Sequence, residues 1–204
     1  VTLAGRSNAP WAIVTGLTVL IALMAGLAFR RRFFGATALF YLTVASLIVP
    51  SILISLGIGL LFNVVGLEPN WYSSALGAHL TWTLPFGVLI MLAVFNRFNR
   101  SLEEAARDLG ASPWQTFVHV VLPLIMPSLI GVGLFGFTLS YDEFARTIMV
   151  AGTENTLPLE IFGMTTNVTT PVLYALGTVT TLFSFALVIS CAAIALLMRR
   201  KRMA

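Results

Sequence analysis

The sequence predicts an all-α integral membrane protein, and three observations carry that prediction. Hydrophobic residues make up 58% of the 204 positions and charged residues only 10%, where a soluble domain averages about 25% charged. Five apolar stretches are each long enough to cross a bilayer as a helix, which takes about 20 residues. The basic residues, finally, gather at the ends of those stretches rather than along one face, which is a topology signal and not a nucleic-acid patch, despite a pI near 9.8.

The first stretch runs from Trp11 to Phe29 and stops at Arg30-Arg31-Arg32. The second, from Ala36 to Val65, is longer than a span needs and carries Pro50 near its middle, so it is expected to be tilted, kinked or extended. The third runs from Ser74 to Phe95 and contains His79 and Pro85. The fourth starts near Leu124 and fades near Tyr141; the fifth runs from Val172 to Met198 and stops at Arg199-Arg200-Lys201-Arg202. With Arg30–Arg32 placed in the cytoplasm, five crossings leave ten of the twelve Lys/Arg inside and only Arg6 and Arg146 outside, as the positive-inside rule demands. The C-terminus is then cytoplasmic. No internal repeat or low-complexity tract divides the chain, which reads as one membrane domain over 1–204. Cys191 lies alone in an apolar run and His79 and His119 are isolated, so no disulfide or metal cluster is expected.

Between the third and fourth stretches the pattern changes. Ser101-Leu-Glu-Glu opens a short amphipathic helix as Ser-x-x-Glu, and Leu102, Ala105, Ala106 and Leu109 share one face. Gly110 is placed to end that helix. Ser112-Pro113-Trp114-Gln115 starts a second helix with another capping box and proline at its first position. Pro123 and Pro127 are expected to mark its exit. Two short helices meeting at Gly110 on the cytoplasmic side are predicted; periodicity alone serves equally for a loop lying on the membrane surface.

The string Glu104-Ala105-Ala106, three residues, Gly110, nine residues, Val120, one residue, Leu122-Pro123 resembles the signature of binding-protein-dependent ABC importer permeases, with Val120 where the family often has isoleucine. Leu84-Pro85-Phe86, Leu139-Ser140-Tyr141-Asp142-Glu143-Phe144, Gly152, Thr156-Leu157-Pro158 and Ala175-Leu176 are similar to the spermidine/putrescine branch. The resemblance implies a type I importer transmembrane domain, with the family's six-helix pattern lacking the first helix in a sequence that opens at Val1. It implies a cytoplasmic coupling loop over 101–123 and a periplasmic loop over about 142–171. ATPase coupling would involve Glu103, Glu104, Ala105, Ala106, Asp108, Gly110, Ala111, Pro113, Phe117, Leu122 and Pro123. It also implies partners: a second homologous permease, two ABC ATPases carrying ATP and Mg, and a periplasmic substrate-binding protein, all in the bacterial inner membrane. No cofactor is expected on this chain. Its one lysine, Lys201, follows no Gly-x-x-x-x-Gly loop, so a Walker A phosphate cradle is lacking.

Polar groups at membrane depth are candidates for the pathway. Ser51 and Ser55 follow Pro50, and either line a cavity or bond their own or a neighbouring helix. His79 and Trp82 sit in the outer half of the third stretch, with the same alternatives; Trp71, Tyr72 and Trp82 also suit an interfacial belt. Asp142 and Glu143 would attract a polycation at the outer mouth, or pair locally with Arg146 at i+4 and i+3; one arginine cannot neutralise both acids. Glu160 and Asn155 are placed against a binding protein or partner permease. A polyamine is the expected cargo, with ferric iron, thiamine, an opine or an aminophosphonate as alternatives. A passive channel or structural subunit is the different class, and a channel needs no docking loop.

Overall fold

The computed structural model describes residues 10–31, 33–152, 156–167 and 171–200; Arg6, Arg32, Asn155, Lys201 and Arg202 lie outside the described residues. Among the described residues eight helices follow one another: α1 (Pro10–Phe29), α2 (Ala36–Ser46), α3 (Ser51–Val65), α4 (Trp71–Asn96), α5 (Ser101–Asp108), α6 (Pro113–Tyr141), α7 (Leu157–Asn167) and α8 (Pro171–Arg200). Four of them are long and apolar enough to cross a membrane, over Trp11–Phe29, Trp71–Asn96, Pro113–Tyr141 and Pro171–Ile194.

Helices α1, α4 and α6 form the core. Ala22, Val88, Met91, Phe95, Val121, Ile125, Leu129 and Val132 are buried together at their junction. Small residues let the backbones approach, as expected where lipid supplies no hydrophobic drive between helices. A methyl group on Gly87 would come within 3.1 Å of Ala22 and Thr18, and one on Gly26 would meet the Phe95 ring at 2.8 Å. A buried hydroxyl pair, Thr18 to Thr83 at 2.7 Å, ties α1 to α4 in the same layer.

The second span is kinked, one of the three outcomes expected of it. α2 and α3 meet at 105° across a four-residue break. Pro50 has no N–H to continue α2 and restricts the residue before it to extended geometry; it stands just before α3, at φ −56° and ψ 132°. The broken pair still carries the chain from one end of the bundle to the other. Arg30, which precedes it, lies against Phe95 at the end of α4, whereas Trp71, which follows it, begins that same helix about 36 Å away by helical rise. Five crossings are therefore compatible with four straight spans and one broken one.

Three expectations are corrected. Helix α4 starts at Trp71 rather than Ser74, in a π turn over Trp71–Ala75 capped by Asn70, whose Oδ1 accepts from the N–H groups of Tyr72 and Ser73. The fourth span does not start at Leu124, and Pro123 and Pro127 do not mark an exit. The helix opened by Pro113 passes through a π turn at Phe117–Val121 and runs on to Tyr141. Such a turn widens the helix locally, and it lies immediately ahead of Pro123, whose ring would otherwise press on the preceding turn. Within the expected outer loop, residues 142–151 form a compact set of turns and Leu157–Asn167 form a helix.

Candidate functional site

Two regions gather the polar chemistry, one at each end of the bundle. At the basic end, α5 hangs between α4 and α6. Its predicted cap is corrected: Ser101 does not cap it. Instead Asn99 Oδ1 accepts from the Ser101 N–H at 3.0 Å, two residues earlier than expected. The second capping box forms as predicted. Ser112 Oγ accepts from Gln115 N–H at 3.3 Å and Gln115 Oε1 accepts from Ser112 N–H at 2.8 Å, with Pro113 at the first helical position. Between the two helices Gly110 stands at φ +86°, a left-handed conformation that costs glycine little.

The faces of this segment differ. Leu109 is 90% exposed and Trp114 71%, and Leu102, Glu104, Ala105, Asp108, Gly110 and Pro113 are also exposed. Ala106, Ala111, Phe117, Leu122 and Pro123 are half-buried towards the bundle. Glu103 turns inward. Arg30 donates from Nη1 to its Oε1 at 2.7 Å and from Nη2 to its Oε2 at 2.8 Å. The same guanidinium lies 5.1 Å and 5.2 Å from the ring centres of Phe95 and Phe98. A cavity of about 800 Å³ opens beside this pair, lined by Arg31, Arg100, Glu104 and Arg107 among others.

At the opposite end, residues 142–152 are wedged against α3, α4 and α6. Ser55 Oγ donates to Ala145 O at 3.1 Å and Ser74 Oγ to Val150 O at 2.7 Å. His79 is buried beneath them. Its Nδ1 is 2.9 Å from Ser140 Oγ and its Nε2 is 3.0 Å from Thr147 Oγ1. Thr147 donates its own hydroxyl to Glu143 O, so it accepts from His79, which assigns the proton to Nε2 and leaves Nδ1 to accept from Ser140. Gly152, at φ +66°, passes so close to Pro69 that any β-carbon would be driven into the Pro69 carbonyl oxygen.

Arg146 is the largest fully buried side chain in the protein's described part. Its Nη1 donates to Thr81 Oγ1 at 2.6 Å and its guanidinium lies 4.8 Å from the Trp82 ring centre. Among the described residues no carboxylate stands within ion-pair distance of it, and Nε and Nη2 have no hydrogen-bond partner. The expected local ion pair is thus replaced by a backbone contact, in which Glu143 Oε1 accepts from the Arg146 N–H at 2.9 Å. Burial pushes the Glu143 carboxyl above its ordinary value, against the opposing pull of that hydrogen bond and of the Arg146 charge. Asp142 is exposed.

Of the other pathway candidates, Ser55 is buried and bonds its own helix as well as Ala145. Ser51 opens α3 and is half-buried, Trp71 is buried against His79 at 5.0 Å between ring centres, and Tyr72 is exposed. Glu160 sits in the first turn of α7. Sequence reasoning read Arg30 only as a topology marker and Arg146 only as a surface partner. Spacing gave no cue to Ser140 and Thr147 as ligands of His79, because those contacts join positions more than 60 residues apart.

A polytopic helical core with an exposed amphipathic segment slung between two spans defines a membrane transport subunit of the type I importer fold. The chain belongs to the family described as binding-protein-dependent transport system inner membrane component, which matches residues 18–201. It is 35% identical over 178 residues to the spermidine/putrescine transport system permease protein PotC of Haemophilus influenzae, covering 87% of this chain and 66% of that one. It is 31% identical over 182 residues to PotC of Escherichia coli K12, covering 89% and 69%. Against the putrescine permease protein PotI of the same strain it is 31% identical over 153 residues, covering 72% and 54%. The chain thus spans about two thirds of the length of the PotC relatives. Its fold also matches a chain of the MetNI methionine ABC transporter in an inward-facing conformation, with a TM-score of 0.68, 18% identity and 96% of both chains covered.

Proposed function

We propose that this chain is the permease subunit of an ATP-driven ABC importer for a polyamine, spermidine or putrescine, forming half of the translocation pathway. The observation that carries the importer reading is the segment from Ser101 to Pro123. It presents exposed Leu102, Leu109 and Trp114 around a glycine bend at the basic end, a surface suited to a cytoplasmic partner. Coupling through Glu104, Ala105, Ala106, Asp108, Gly110, Ala111, Pro113, Phe117, Leu122 and Pro123 belongs to this proposal. So do two ATPases carrying ATP and Mg, a second homologous permease, a periplasmic binding protein and a cytoplasmic C-terminus. ATP binding would draw the coupling segments together and tilt the spans, an alternating-access cycle.

The polyamine assignment rests on the names of the PotC and PotI relatives and on Asp142 and Glu143, two carboxyl side chains at the end opposite the basic residues. An opine or aminophosphonate is the alternative cargo. Competition on the cognate binding protein separates these readings, since putrescine and spermidine must displace each other and an opine must not. The importer reading is tested in proteoliposomes holding both permeases, the ATPases and the binding protein. Radiolabelled putrescine should accumulate only with ATP; uptake without the ATPase sinks the proposal. Asp142→Asn with Glu143→Gln should lower uptake about tenfold at normal assembly, and unchanged uptake removes both acids from the pathway.

A further inference from the structure

Three elements that are separate in sequence converge on one guanidinium at the basic end. Arg30 lies immediately past the last residue of α1; Phe95 and Phe98 belong to the end of α4 and the turn after it; Glu103 lies in the first turn of α5. The contact is bidentate and charge-assisted, the strongest form such a pair takes. Side-chain exposures of 15% and 12% shield it from the screening that makes surface pairs weak. Arg100 closes the group by donating from Nη2 to the Arg30 carbonyl oxygen at 3.1 Å. Just inside, the missing side chain of Gly26 lets α1 sit directly on the Phe95 ring.

Chain connectivity joins α5 only to α4, through 97–100, and to α6, through Gly110 and its neighbours. Nothing covalent links it to α1. Because Glu103 points inward while Leu102 and Leu109 face out, a load on the outer face of α5 reaches α1 through this pair.

We propose that Arg30 and Glu103 form a clasp that couples the docking helix to the first described span, with both acting as positioning residues for transport. The transport arm of this proposal rests on the importer reading; the structural arm does not. The full complex would be reconstituted with the native chain, Arg30→Ala, Glu103→Ala, their double variant and Arg30→Lys. ATP hydrolysed per putrescine imported should rise about fivefold in each alanine variant and no further in the double variant, because both singles open the same contact. Arg30→Lys keeps the charge but loses the fork, and should fall between. A ratio unchanged in both singles, or additive losses, overturns the clasp. Amide hydrogen exchange in the same complexes reads the contact directly: the amides of α5 should exchange at least tenfold faster in each alanine variant and equally fast in the double, with the α1 amides around Thr18 unchanged. Unaltered α5 exchange overturns the clasp whatever the transport result. A native complex that shows no ATP-driven uptake overturns the importer reading alone, and the exchange arm then decides the clasp. Should the alanine variants assemble poorly, Arg30→Lys supplies the exchange comparison, and native-like protection of α5 in it argues against the fork.

Discussion

At the basic end Arg30 is gripped by a carboxylate and two phenyl faces beside an open cavity; at the opposite end Arg146 is sealed from solvent with one hydroxyl and one indole face. Both are arginines close to a span terminus, yet among the described residues only the first has its charge answered by an ion pair. The difference teaches where the molecule spends its polar contacts. The basic end uses a directional pair to fix one element to another and leaves the outer face of α5 free. The opposite end uses many uncharged contacts, from Ser55, Ser74, His79 and Thr147, to hold a folded-in segment of backbone against the helices.

The largest effect that would break this comparison is expected at Gly152. Gly152→Val places a branched side chain at positive φ and against the Pro69 carbonyl, and should cost about 4 kcal/mol or more of stability; a thermal unfolding midpoint equal to the native one would mean that the wedge is not packed as described. Next comes His79→Leu, which strands the Ser140 hydroxyl and leaves Thr147 only its bond to the Glu143 carbonyl, and should cost about 2–3 kcal/mol, read from the unfolding midpoint in detergent. The two arginines supply the sharpest contrast. Arg30→Met leaves Glu103 without its partner in a half-closed site and should cost about 2 kcal/mol, whereas Arg146→Met abandons no ion pair with a described residue and should raise the midpoint or leave it unchanged. Equal losses at both positions would erase the distinction between the two ends. The smallest effect is expected at Ser112→Ala, which removes one capping hydroxyl and should cost about 1 kcal/mol, seen as faster exchange at Gln115 and Thr116 without loss of the α6 core.

Much of the fold was legible because single-helix signals are local. Trp11 to Phe29 reads as a span from its apolar run alone, and Ser112-Pro113-Trp114-Gln115 announces a helix start through contacts within four residues. Pro50 signalled a break, but the 105° turn depends on what α2 and α3 pack against, which no local pattern encodes. Pro123 misled for the opposite reason: a π turn just before it absorbs the ring, and the helix continues. At the candidate site the same rule holds. Gly110 was readable from its position; Asn99 was missed because two overlapping capping patterns, Asn99 and Ser101, compete within three residues and only geometry chooses between them. Arg146 looked like a helix-surface partner for Asp142 and Glu143, but the chain beyond Tyr141 leaves helical geometry, so i+3 and i+4 no longer bring side chains together.

The unbroken run from Pro113 to Tyr141 has one further consequence. Its 29 residues make a rod about 43 Å long, with Trp114 exposed at one tip, Tyr141 beside Asp142 at the other, and Ile125, Leu129 and Val132 gripped by the core between them. A rod held at its waist behaves as a seesaw. A push on Trp114 in one direction carries Tyr141 in the other, so that narrowing the bundle at one end and widening it at the other become the same motion rather than two events that must be synchronised.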